Sequence, residues 1–451
     1  MKRLWLMSTV LLTLGLVMLG CVAPAPPAQA PAPEEEAPKA PEEAKAKITW
    51  SFWGSPDEVA AHEDALEAFR KAHPEIEVEI MHIEWADYFT KMETLFAAGK
   101  PEDIPDVMFV GGPWTQKWAS LGVLEPLNSF IERDNVDLDD YWPKLLAYGS
   151  IGDQIYGLSR DVPPNVLYYN KAIFQEAGVD FPDETWTWEG FLAAAEKLTV
   201  KDASGRVSRY ALGMEQGKYW YWLAQAGGSI VDDAEHNFSN PSKCMLDSPE
   251  SQHGIEFMNE LYRKGYLMPN ADMEAQGRDR GVFIADQVAM IIQNASRVSA
   301  FVEAEKDFDI APLPVPSGGQ RANGTGGAIW GISAQSDAKE AAWTFVKWLQ
   351  AADGGQPIYT ASGQIVPALK SVAASSVFQE VLPINTSALV VEAEAGGYVG
   401  NPLFPEWADI RGTIVQPNLE RIWTGEATPD EVLSELCAQV NAALEEAGYP
   451  K

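Results

Sequence analysis

From residue 47 onward the polar and apolar positions switch repeatedly between two periods. KITWSFWG (47–54) is a short run rich in β-branched and aromatic residues, ending in glycine, which predicts a strand. PDEVAAHEDALEAFRKAHP (56–74) carries Val59, Leu66 and Phe69 at helical spacing. Asp57 and Glu58 sit at its N-terminal end and Pro74 follows its stop, so a helix is expected. IEVEIMHI (76–83) alternates and predicts a second strand, and WADYFTKMETLFAAG (85–99) returns to the helical period with Gly99 as its C-cap. DVMFVGG (106–112) is a buried strand opening into glycines. This βαβαβ start implies a mainly parallel sheet with helices on its faces.

The alternation continues down the chain. Helices are expected at AIFQEAG (172–178), WTWEGFLAAAEKLT (186–199), SQHGIEFMNELYRKG (251–265) and EAAWTFVKWLQ (340–350). Strands are expected at RYALGM (209–214) and AIWGIS (328–333), and VFIADQVAMIIQN (282–294) runs from helix into strand. The segments 407–425 and 429–448 read as helical. One stretch breaks the pattern. GLSRDVPPNVLYYNK (157–171) is strand-like in Val166–Tyr169, yet Arg160, Asp161, Pro163 and Pro164 enter it. Neither proline can donate to a sheet ladder.

Length changes the picture first: 451 residues imply two or three domains. The formal charge of −32 argues against a nucleic-acid partner, because an acidic surface repels phosphate. It otherwise serves solubility. Residues 1–20, MKRLWLMSTVLLTLGLVMLG, open with Lys2 and Arg3 before an apolar run, the pattern of a secretory signal. They end at Cys21 in MLGC, which resembles the lipobox of bacterial lipoproteins and implies a lipidated Cys21, although Met18 and Leu19 depart from the usual residues. Residues 22–46 are Pro, Ala and Glu with almost nothing to bury, so 21–46 are expected to form a disordered tether. Cys244 and Cys437 remain, and could pair outside the cell if their geometry allows.

Reaction machinery is sparse. GxSxG, HExxH and GxxxxGK[ST] are absent, and no Cys/His spacing suits zinc. The expectation is therefore no metal, no cofactor and no catalysis, with a secreted carbohydrate-active enzyme as the alternative from another class, because paired carboxylates are abundant. What recurs instead is an aromatic residue beside glycine or a polar residue at strand ends. Trp53 and Ser55 flank Gly54, Trp114 follows Gly111–Pro113, and Tyr219 and Trp222 precede Gly227. Asn294, Ser296 and Arg297 end another strand, Gly327 and Trp330 lie around the next, and Trp407 with Arg411 starts a late helix. Ligands of open α/β sheets bind beyond the carboxyl ends of strands. Flat apolar faces beside hydroxyl-seeking groups suit a sugar, whereas any single Trp among them could be core.

These segments in this order resemble the extracellular solute-binding proteins of ABC importers, in the sugar-binding group that includes maltose-binding protein. The resemblance runs from about residue 47 to the end and rests on LYYNKAIFQEAG with TWTWEGFLAAAEKLT, PDVMFVGGPWTQKWASLGVLEPL, VAMIIQNASRV, GQRANGTGGAIWGIS and EWADIRGTIVQ. It implies two α/β lobes joined by crossing strands with the ligand cleft between them. One lobe would comprise 47–158 plus about 308–365, the other 159–307 plus about 366–451. Residues 157–171 would be the first crossing, placing Arg160, Asp161 and Asn165 at the cleft floor. Trp407, Arg411 and Tyr219 match positions that hold sugar in the family, with Trp407 expected to lie flat on a sugar ring. Trp114 falls in a loop that contacts sugar in relatives. Ser296 stands where many relatives have Trp, and Asn165 near where they often have Arg or Glu, which argues against maltose itself. The implied function is a lipid-anchored, monomeric, extracytoplasmic receptor that captures a carbohydrate by hinge closure and delivers it to an ABC permease. A polyamine or other cationic solute is the runner-up, since acids with aromatics also hold amines.

Overall fold

The computed structural model describes residues 45–54, 56–111, 113–142, 145–233, 238–324, 327–363, 365–398, 402, 404 and 406–450. The signal, Cys21, most of the tether and Ser55 lie outside these residues.

Two five-stranded sheets organise residues 45–450. In the first, Ile76–His82, Ala46–Phe52 and Val107–Gly111 run parallel, as the βαβαβ pattern implies. Ala328–Ile332 then pairs antiparallel with Val107–Gly111, and Gly157–Ser159 closes the far edge. The intervening helices, Pro56–Ala72 and Trp85–Ala98, bury their apolar stripes, Leu66 and Phe69 on one and Tyr88 and Met92 on the other. Gly99 ends the second of these at φ 65°, and its N–H donates to the Phe96 carbonyl. A left-handed C-cap of this kind favours glycine because a Cβ there is strained.

The second sheet runs in the order Phe308–Ala311, Val166–Asn170, Val288–Gln293, Val207–Gly213, Val200–Lys201. Val166–Asn170 is antiparallel to both neighbours and buried throughout. Its last residue, Asn170, turns the chain directly into the helix Lys171–Ala177 by accepting the Ile173 N–H at 3.1 Å. Phe308–Ala311 pairs in this sheet, whereas the resemblance implies that the chain from about 308 belongs to the first lobe; the strand is four residues long and carries no turn signal before it.

Residues 160–165 connect the two sheets, and the prolines mark where pairing stops. The same join is held by buried polar groups. The Asn323 side chain accepts the Asn165 N–H at 3.1 Å and donates to the Asn165 carbonyl at 2.6 Å and to Glu392 at 2.7 Å. Glu392, fully buried, also accepts the Leu313 N–H and an Arg321 N–H. Burial pushes its carboxyl above the ordinary range, and Arg321 with these hydrogen bonds opposes that shift.

Two further features bear on the sequence reading. Cys244 and Cys437 form a disulfide with Cα atoms 5.2 Å apart, tying the 231–244 segment to the helix Pro429–Glu446. The helical segment 407–423 is not uniform: Arg411–Val415 is a π-helical turn just before Pro417. Proline has no N–H to continue the ladder, and the wider turn accommodates that gap.

Candidate functional site

A cavity of about 310 Å³ opens at the carboxyl ends of the first sheet's parallel strands. Trp53 enters it one residue after its strand, and Gly111 ends the neighbouring strand. Trp114 follows on the helix Pro113–Ser120. Arg160 and Asp161 come from the first crossing, and Gly327 with Ala328 from the returning strand. Thus Trp53, Trp114, Arg160, Asp161 and Gly327, far apart in sequence, line one space.

Its walls are aromatic. Trp114 stacks on Phe89 with centroids 3.6 Å apart and planes at 14°. Trp53 leans on Phe109 (4.4 Å) and Phe89 (5.2 Å). A Cβ on Gly111 would come within 3.3 Å of Trp53, so the missing side chain lets the indole lie over the strand end. The floor is ionic. The Arg160 guanidinium lies 4.7 Å from the Phe109 centroid, donates to both Asp161 oxygens at 3.3 Å and stands 3.7 Å from Glu58. Burial alone would lower the Arg160 pKa; Asp161 and Glu58 more than offset this, so it is raised. Beneath the strand layer His62 is buried among Trp50, Phe52 and Trp330, with Nδ1 2.9 Å from the Tyr359 hydroxyl. Burial first, and then the Arg160 charge, holds its pKa well below the usual 6.5.

The second sheet's candidates fall elsewhere. Trp222 is fully buried in the helix Trp220–Gln225, packed on Trp188 (6.0 Å) and Phe257 (5.0 Å), and is core. Every residue of that short helix is buried, so the Tyr-Trp-Tyr-Trp run marks an all-round buried helix. Trp330 is also fully buried; it pairs with Phe109, two positions along the register from the Ala328–Gly111 pair that reaches the cavity. Trp407 is 4% exposed and packs near Phe404 at 6.0 Å, so its indole offers no open face, contrary to the expected stacking role. Tyr219 is buried at 2% exposure.

The polar candidates divide. Asn294 caps the turn 295–297 by accepting the Ser296 N–H, Ser296 is exposed, and Arg297 pairs at 2.7 Å with buried Asp279. Asn165 uses its backbone on Asn323. Arg411 begins the π-helical turn, partly exposed, and its buried Nε meets no acceptor among the described residues.

Trp85, Phe89 and Phe109 also form the cavity wall, although none of them stands among the Trp-beside-Gly clusters of the sequence. The signal was present: Trp85 follows the second strand much as Trp53 follows the first, and Phe89 is one helical turn on. Among the described residues no group of three His, Cys, Asp or Glu could hold a metal ion, and no helix is long and apolar enough to cross a membrane.

The family described as bacterial extracellular solute-binding protein matches residues 54–356. The galactooligosaccharide-binding protein of Bacillus subtilis is 24% identical over 387 residues, covering 85% of this chain and 86% of its own. Among solved structures, an ABC substrate-binding protein from Listeria monocytogenes in complex with cycloalternan superposes with a TM-score of 0.72 at 24% identity, over 89% of this chain and 99% of that one. The sugar-binding protein MalE from Xanthomonas citri gives 0.74 at 22%, over 89% and 98%. These likenesses show the two-lobed fold.

Proposed function

Because the chain belongs to the bacterial extracellular solute-binding protein family, we propose that it captures a carbohydrate by hinge closure and delivers it to a membrane ABC permease, without turning it over. The observation that carries this reading is the convergence of Trp53 and Trp114 with Arg160 and Asp161 in one open cavity. Aromatic faces cover the apolar side of a sugar ring, and the charged pair supplies hydrogen-bonding groups for its hydroxyls. The ligands named for two relatives, a galactooligosaccharide and cycloalternan, are of the same class.

The lobes would be the first sheet with its helices, about residues 47–159 and 328–380, and the second sheet with the C-terminal helices. The hinge would be residues 160–165, the 312–327 segment and the stretch around Glu392. Closure needs contacts from both lobes, since a ligand bound equally well in both states shifts nothing. Arg411, Arg297 and Ser296 are the second lobe's candidates for those contacts. Cys21 would carry the lipid and the residues from 22 up to the strand Ala46–Phe52 the spacing from the membrane, with the body a monomer. Cys21→Ala should then release the protein from membranes and leave binding intact; retention on membranes would refute the anchor.

Titrating tryptophan fluorescence with mono-, di- and oligosaccharides and with spermidine tests the reading. Saturable quenching by a saccharide is expected. Saturation by spermidine alone would replace it with a cationic solute, and release of a cleaved glycoside would replace it with an enzyme.

A further inference from the structure

Trp85 is 61% exposed, whereas the other aromatics of the same cavity are buried or half-buried, Phe89 at 8% and Phe109 at 2%. An isolated exposed indole on a surface needs no explanation; one on the rim of an aromatic cavity presents an apolar face that only a ligand or the closing lobe can cover. Trp114 already has one face on Phe89. Trp85 meets Phe89 only at 6.5 Å and 84°. Its place is fixed by the backbone: it is the first residue of the helix Trp85–Ala98, held through Phe89 and buried Tyr88.

The aromatic groups form a graded series. The Arg160 guanidinium lies 4.7 Å from Phe109, Phe109 4.4 Å from Trp53, Trp53 5.2 Å from Phe89, and Phe89 6.5 Å from Trp85. One end is ionic and buried; the other is apolar and exposed. Along this series a sugar ring hydrogen-bonded to Arg160 and Asp161 would meet Phe109 and Trp53 before Trp85, which stands four contacts from the guanidinium. We propose that Trp85 is the outer stacking platform for a second sugar unit, and that it makes the site prefer an oligosaccharide to a monosaccharide. The inference rests on the carbohydrate reading and adds ligand length to it.

The test is calorimetry on the full chain with glucose, maltose and maltotriose and with galactose, galactobiose and galactotriose, for wild type, Trp85→Ala and Trp85→Phe. Wild type should bind the trisaccharide of at least one series more tightly than its monosaccharide. Trp85→Ala should lose about tenfold or more on that trisaccharide, the scale of a stacking anchor, and less than about twofold on the monosaccharide. Trp85→Phe, which keeps a ring, should retain most of the length preference. Melting temperatures should coincide, because the side chain is exposed. Wild type that binds with no length preference, equal losses on mono- and trisaccharide, or no loss in Trp85→Ala would overturn the inference and leave the carbohydrate reading standing. Wild type that binds no member of either series would overturn the inference, and the fluorescence titration with the wider set of saccharides then decides the carbohydrate reading separately.

Discussion

The two lobes carry comparable runs of aromatic residues and use them differently. In the first, Trp53 and Trp114 stand just past strand ends, where the sheet has no further layer, and they line a cavity. In the second, Trp222 and Trp407 sit within helical segments and pack inward. An aromatic residue near glycine lines the cavity where the backbone carrying it has just left a sheet. Trp114 lies on the first turn of a helix that starts directly after its strand, whereas Trp222 and Trp407 lie on helices well removed from a strand end and are packing.

The sharpest way to break this contrast is truncation. Trp222→Ala, and likewise Trp407→Ala, should cost about 3–5 kcal/mol in urea unfolding, as buried aromatics do, with sugar affinity of the folded protein changed little. Unchanged stability together with lost affinity would return either residue to the site. Next, the second lobe alone carries the Cys244–Cys437 disulfide, which closes a separation of 193 residues. Reduction, or the double change to Ala, should remove about 2–4 kcal/mol, measured as a fall in the unfolding midpoint with and without reductant. A midpoint unmoved by reductant would contradict the covalent tie.

On the first lobe the order reverses. Trp114→Ala should weaken sugar binding by roughly thirtyfold, about 2 kcal/mol, while the melting temperature stays close to wild type. A large drop in melting temperature with affinity intact would make Trp114 core like Trp222 and erase the comparison. The smallest effect comes from beneath the cavity. An unfolded His62 titrates near 6.5, and in the folded chain burial and the Arg160 charge hold it well lower. Below about pH 6.5 the unfolded chain takes up a proton that the folded chain refuses, so stability is fully present above that pH and falls beneath it, by at most about 1.4 kcal/mol per pH unit. Tyr359, Arg160 and His82 are the titratable groups facing it. Melting curves from pH 7.5 to 5 should therefore fall less steeply for His62→Gln than for wild type; parallel slopes would show that other groups carry the acid sensitivity.

Much of the fold was legible because its signals are local. The Gly99 cap, the amphipathic helix 56–72 and the proline-broken crossing at 160–165 each depend on residues next to one another. The strand Phe308–Ala311 was not, since four residues with no turn signal before them carry too little pattern to assign to a sheet. Nor was the π-helical turn, whose only trace is Pro417 inside an otherwise helical period. Arg160 and Asp161, which line the cavity, stood out in the sequence because charges and prolines interrupt a strand-like run. Trp85 was passed over because no glycine marks it, and burial, which separates it from Trp222, depends on partners distant in sequence such as Trp188 and Phe257.

Capture by closure brings the two lobes together on a sugar and makes the protein more compact. Small-angle X-ray scattering of the full-length protein with and without a saturating saccharide tests it most directly. The radius of gyration should fall when the sugar is added and recover when it is dialysed away. Profiles that superimpose at full occupancy, with binding confirmed by fluorescence in the same samples, would contradict it.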